Sequence, residues 1–212
     1  MWLSLQRGAL EVVRFFVVGL WHLGGWRLIQ GLPELDKYVA VAVPHTANID
    51  YYHMLSVMIG ARRFPHVTVK DSWIKTPIIG PMMKALGGIP IDRSASHNVS
   101  DQLAARLRAA ERMVLVFTPE GTRKRTEYWR TGFYYTAYKA GVPIVCVYVD
   151  YPRKVVSAEL ILEPTGDLEA DFEIIKAYYE ANGVGKRPEN KSVLALKPRG
   201  HQAEVDEAAE AQ

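Results

Sequence analysis

The chain has 212 residues, 49% hydrophobic and 23% charged, which is ordinary globular material and enough for one substantial core. A formal net charge of +3 excludes the strong positive field of a duplex-binding protein; its unevenness, basic at "RKR" 123–125 with Arg130 and acidic in "HQAEVDEAAEAQ", suits an anionic small molecule or lipid headgroup. The single cysteine, Cys146 within "VPIVCVYV", excludes an intrachain disulfide and points to a buried, inert thiol in a reducing compartment such as the cytoplasm.

The N-terminal stretch "GALEVVRFFVVGLWHLGGWRL" is apolar, but Glu11, Arg14 and His22 interrupt it, so no run reaches the roughly 18 clean residues of a spanning helix. With no basic head beyond Arg7 and no A-x-A pattern, a signal peptide is a poor fit. The stretch reads as an amphipathic helix with Trp2, Trp21 and Trp26 as interfacial anchors, packed either on the domain's own core or against a membrane surface. Next, "KYVAVAV" (37–43) is a β-branched run ending at Pro44, and "NIDYYHMLSVMIGA" reads as a helix. Ile89 and Ile91 suggest a short strand. A helix is expected over 98–112, with Ser100 capping it ahead of Asp101. "MVLVF" (113–117) and "VPIVCVYVDY" (142–151) read as buried strands, and the helix between them, 131–141, closes on Gly141. The alternation predicts an α/β fold, a largely parallel central sheet flanked by helices, preceded by the N-terminal amphipathic segment. The expected division is 1–30 for that segment, 31–198 for the main domain and 199–212 for a solvated tail.

The stretch "PHTANID", 44–50, poses the functional question. Residues five apart on one helix lie about 500° apart and cannot cooperate. If His45 instead sits in the turn after the strand, with Thr46 or Asn48 capping the helix and Asp50 in its first turn, the carboxylate reaches back to the imidazole. It then holds Nδ1–H and leaves Nε2 as a base. The bland alternative is a local hydrogen bond beside a helix-capping carboxylate.

Two further stretches weigh on that choice. In "LGGIPIDR" (86–93), the glycines permit close backbone approach and Arg93 emerges at a strand end, able to grip a phosphate bidentately or to pair with Asp92 at the surface. In "FTPEGTRKR" (117–125), Pro119 and Gly121 break the chain after a buried strand and cluster Glu120, Thr122, Arg123, Lys124 and Arg125 where α/β sheets place ligands. A solvated basic turn is the rival reading there.

In order, "HTANID", "GGIPIDR", "PEGTR" and "VPIV" resemble the four blocks of the phospholipid/glycerol acyltransferase family, which includes the 1-acylglycerol-3-phosphate acyltransferases. His45 and Asp50 match its HxxxxD signature. The resemblance covers roughly 39–150, with departures at Thr118, Lys124 and Cys146. It implies that His45, oriented by Asp50, acts as general base on an acceptor hydroxyl that attacks the thioester of acyl-CoA or an acyl carrier protein. Backbone amides at the glycine loops or the helix start would serve the oxyanion. Arg93 and Arg123 would hold a lysophospholipid phosphate, and Glu120, Gly121 and Thr122 would shape its pocket. No metal and no cofactor beyond the acyl donor is expected. The resemblance further implies an enzyme on the cytoplasmic face of a membrane, peripheral or monotopic, with Lys70, Trp73 and Lys75 extending a basic, aromatic face and "YWRTGFYYTAY" offering a hydrophobic acyl tunnel or ordinary core. A weak lipid- or phosphate-binding protein and a thioester hydrolase remain as other readings.

Overall fold

The computed structural model describes residues 2–70, 74–77, 79–85, 87–91 and 99–197. Arg93, Trp73, the side chains of Trp2 and Lys70, and the tail from 198 lie outside the described residues.

The N-terminal helix α1 (Trp2–Leu23) stops earlier than the apolar stretch suggested. Gly25, at φ +83, turns the chain in a conformation that L side chains rarely adopt. Trp26 then folds back into the body, and β1 (Arg27–Leu28) joins the sheet. There follow β2 (Lys37–Val43), α2 (Asp50–Gly60), β3 (Pro65–Lys70), α3 (Ile79–Ala85) and β4 (Gly88–Ile91). The second half contributes α4 (Val99–Ala109), β5 (Met113–Phe117), α5 (Gly132–Ala140), β6 (Ile144–Asp150), β7 (Val155–Leu162) and α6 (Leu168–Ala181). Ser100 lies inside α4 rather than capping it, and its hydroxyl donates to the Gly132 carbonyl at 3.5 Å.

The seven strands form one sheet in the order β1-β7-β6-β2-β5-β3-β4, parallel except between β6 and β7. Period-two alternation divides β2 between two cores. Val39, Val41 and Val43 face the layer built with Leu103, Phe133 and Tyr179, while Tyr38 and Ala40 face the layer with Met58. On that second face, Ala40 and Ala42 are too small to fill the space beneath α2. The fold therefore leaves room there, at the end of the sheet where β2, β5 and β6 all terminate.

Helix α1 packs Trp21 inward and turns Val12, Phe15, Phe16, Leu20 and Leu23 outward. Glu11 pairs with Arg14 within the helix at 2.8 Å and ties it to Arg62, just past α2, at 3.2 Å. No helix among the described residues is long and apolar enough to cross a membrane.

Candidate active site

His45 and Asp50 come together because the chain between them is a turn rather than a helix. Pro44, after a cis Val43–Pro44 peptide, leads out of β2, and α2 begins at Asp50 itself. Neither Thr46 nor Asn48 caps that helix. The Asp50 carboxylate gathers the turn instead: Oδ2 accepts the Thr46 and Ala47 amides, each at 2.8 Å, and faces His45 Nδ1 at 3.4 Å. The Thr46 hydroxyl oxygen accepts the Arg187 amide at 3.2 Å. Burial pushes the Asp50 carboxyl up, yet the hydrogen bonds from His45, Tyr151, Ala47 and Thr46 outweigh it and hold the group below the usual range. A buried carboxylate thus stays charged next to Nδ1, leaving Nε2 as the free face of the ring.

Glu120 lies beneath this turn. It is 3% exposed and its Oε2 accepts the His45 amide at 2.8 Å, so its side chain fixes the backbone from which the imidazole projects. Burial pushes its carboxyl up to about 8; the His45 amide opposes this, and the Asp50 charge adds to it. The amides of His45, Thr46 and Ala47 are therefore committed to carboxyl groups, and that of Gly121 to the Thr118 carbonyl at 2.9 Å. Of the backbone donors expected for an oxyanion, these four are engaged.

Beside His45 opens a cavity of about 640 Å³. Its deep wall is Ala40, Ala42, Met54, Met58 and Val116, and its rim carries His45, Gly121, Arg123 and Arg130. Among the described residues, Glu120 and Thr122 do not line it; the Thr122 hydroxyl accepts the Lys124 amide at 3.3 Å. The aromatic stretch 128–138 contributes Arg130, Gly132 and Phe133 to the wall, while Trp129 and Tyr134 pack in the core. The space thus lies between α2 and the starts of α4 and α5 rather than among the tyrosines of that stretch. Arg130 crosses the loop so closely that a Cβ on Gly121 would meet its Nε at 2.8 Å. Cys146 is fully buried and burial pushes its thiol up to about 12, which leaves it protonated and inert.

Three neighbours carry no site role in the sequence reading. Arg130, which counts there only toward the basic patch with 123–125, joins Arg123 at the rim. His53, one turn along α2 from Asp50, accepts Trp21 Nε1–H on Nδ1 at 3.0 Å; burial pushes its ring down to about 4. Tyr151, just past β6, donates its hydroxyl to Asp50 Oδ1 at 2.5 Å. The spacing of three from Asp50 to His53 was a readable signal; a partner 101 residues away was not.

Comparison with known proteins agrees with this geometry. The chain is 29% identical over 134 residues to the 1-acyl-sn-glycerol-3-phosphate acyltransferase of Haemophilus influenzae, covering 60% of this chain and 55% of that one. It is 30% identical over 128 residues to the lysophospholipid acyltransferase LPEAT1 of Arabidopsis thaliana, covering 56% of this chain and 30% of that one. The chain thus spans about half the length, or less, of these curated relatives. The crystal structure of the 1-acyl-sn-glycerophosphate (LPA) acyltransferase PlsC from Thermotoga maritima shares the fold, with a TM-score of 0.56, 15% identity, and coverage of 81% of this chain and 78% of that one. The family model described as Acyltransferase matches residues 29–150, from just after β1 through the end of β6. That span is more than half of the chain and contains the paired His45 and Asp50, so the chain belongs to the acyltransferase family.

Proposed function

We propose that the protein transfers a fatty acyl group from an acyl thioester, acyl-CoA or an acyl carrier protein, to the hydroxyl of a lysophospholipid, with 1-acylglycerol-3-phosphate as the first acceptor to test. The observation that carries this reading is the His45–Asp50 contact at the rim of an apolar cavity that also bears Arg123 and Arg130. His45 Nε2 takes the acceptor's hydroxyl proton as its oxygen attacks the thioester carbonyl; Asp50 holds Nδ1–H and stabilises the imidazolium that forms. Collapse of the tetrahedral intermediate releases the thiolate, which recovers the proton from His45. The apolar wall beneath α2 receives acyl chain, and the rim arginines receive phosphate. Arg93, following β4, is assigned to the same phosphate by the family resemblance.

The membrane enters through α1. Its outer side carries Phe15 at 73% and Leu23 at 85% exposure, an apolar face suited to lying in the headgroup layer on the cytoplasmic side.

Thiol release from palmitoyl-CoA by purified protein in detergent, with and without lysophosphatidic acid, tests the reading. Release that requires the acceptor is expected, together with an acylated product. Equal release without acceptor would make the protein a thioester hydrolase. Silence with lysophosphatidic acid and a panel of other lysolipids, offered both donor types, would leave a binding protein.

A further inference from the structure

We infer that Tyr151 is a positioning residue for the His45–Asp50 pair, and that Trp26, at the end of the N-terminal helical segment, holds Tyr151 in place. The inference rests on the reading of His45 as general base.

The two oxygens of the Asp50 carboxylate are loaded unequally. Asp50 Oδ2 faces three donors: the Thr46 amide, the Ala47 amide and His45 Nδ1. Among the described residues, the donor on Oδ1 is the Tyr151 hydroxyl. The torsion that turns a carboxylate about its own axis is broad, so contacts on one oxygen alone leave its plane poorly fixed. The imidazole contact, at 3.4 Å, is the longest of the four and the most sensitive to such a turn. A donor on the far oxygen fixes the plane. Tyr151 is suited to this because burial, and then Asp50 itself, push its hydroxyl well above the usual range and keep it protonated.

Tyr151 is itself held from several sides. The strand it follows, β6, neighbours β2 with Val43 opposite Tyr148, which carries Tyr151 to the level of the 45–47 turn. Its ring meets Trp26 edge-on at 5.0 Å and His53 edge-on at 5.3 Å. Trp26 lies against His53 at 3.8 Å, and Trp21 donates to Nδ1 of the same imidazole. Both tryptophans come from the segment whose outer face is apolar. The last turn of α1 and the residues after it therefore back the His53 and Tyr151 rings, and the same segment that offers the membrane contact contributes to the geometry of Asp50.

The test is a double-mutant cycle on the full chain in detergent, read as kcat and as KM for each substrate. Tyr151→Phe removes one oxygen and keeps the ring; loss of one hydrogen bond to a charged group predicts a kcat lower by about 10-fold with both KM values retained. In an Asp50→Asn background the same change is expected to cost almost nothing, because the group it acts through is already altered. Trp26→Phe should lower kcat by roughly 3-fold alone and add little to Tyr151→Phe. Full kcat in Tyr151→Phe, or an equal loss with and without Asp50→Asn, would overturn the positioning role; full kcat in Trp26→Phe would overturn the part assigned to the N-terminal segment. His45→Ala runs alongside: if it stays active, it is the general-base reading that fails.

Discussion

The turn from Pro44 to Asp50 and the loop from Thr118 to Thr131 face each other across the cavity rim, and they are held in opposite ways. In the turn, the amides of His45, Thr46 and Ala47 are bound by the side chains of Glu120 and Asp50, and both oxygens of Asp50 have partners. In the loop, backbone bonds such as that from the Arg130 amide to the Pro119 carbonyl at 2.9 Å fix its course, while the Arg123 and Arg130 guanidiniums have no hydrogen bond or ion pair among the described residues. A reacting group gains from geometry fixed before the substrate arrives, because each loose torsion must otherwise be frozen in the transition state. An anion-binding group gains from unspent donors on long stems that close on the ligand.

The largest expected effect breaks the turn side alone. His45→Ala should lower kcat on the order of 100- to 10,000-fold, with the melting temperature nearly unchanged because a rim imidazole contributes chemistry rather than packing. A large fall in melting temperature together with activity would mean that the turn is held by the imidazole and not by Asp50. Breaking the loop side should look different. Arg123→Ala and Arg130→Ala should each raise KM for a phosphate-bearing acceptor by about 10-fold, with kcat and donor KM little altered. Arg93→Ala belongs in the same series; an unchanged acceptor KM in it would remove Arg93 from the phosphate site.

A smaller effect is expected at the hinge of the loop. Gly121 has φ +66, and its missing Cβ is the space that Arg130 Nε occupies. Gly121→Ala should cost about 1–2 kcal/mol of stability from the left-handed backbone, and should also raise acceptor KM by displacing Arg130. A variant that loses stability but keeps acceptor KM would show that Arg130 does not touch the acceptor.

The contrast between turn and loop also explains what was legible in the sequence. Strands β2, β5 and β6 announce themselves as short β-branched runs, and the turn after β2 follows from Pro44. β3 escapes notice because Pro65, His66 and Lys70 interrupt its apolar pattern, and a strand with three such residues looks like a loop. Helix α6 carried a readable start, since Asp167 accepts the Ala170 amide at 3.1 Å and Glu169 and Asp171 fill the first turn. The His45–Asp50 pair is legible because its parts are five residues apart. The rest of the site depends on side chains that meet only after the sheet is assembled: Tyr151 on Asp50, Glu120 under His45, Trp21 on His53. No local pattern encodes those meetings. The commitment of the His45, Thr46 and Ala47 amides is unreadable for the same reason, because the carboxyl groups that claim them include one 75 residues away.

Glu120 joins the two regions, belonging to the loop by sequence and to the turn by contact, and it carries the last prediction. Its carboxyl has an ordinary value near 4.5, and burial raises it to about 8 in the folded chain. Below about 4.5 folded and unfolded chains both hold this proton; between about 4.5 and 8 only the folded chain does; so rising pH across that window favours unfolding. Asp50 works in the other direction. Its lowered value gives stability that is present above the ordinary carboxylate range and lost on acidification through the folded value. Glu120→Gln keeps an oxygen for the His45 amide and removes the titration. Melting temperatures of the parent chain should therefore fall between pH 5 and about pH 9 by more than those of Glu120→Gln, with the Glu120 contribution amounting to a few kcal/mol at most. The two curves should approach each other at the acid end, where the Glu120 carboxyl is neutral in the folded chain, and the Asp50 loss should persist there in both. Parallel curves across the whole range would mean that Glu120 is ionised in its pocket, held by Lys191 and the His45 amide, and that the turn rests on a charged support rather than a neutral one.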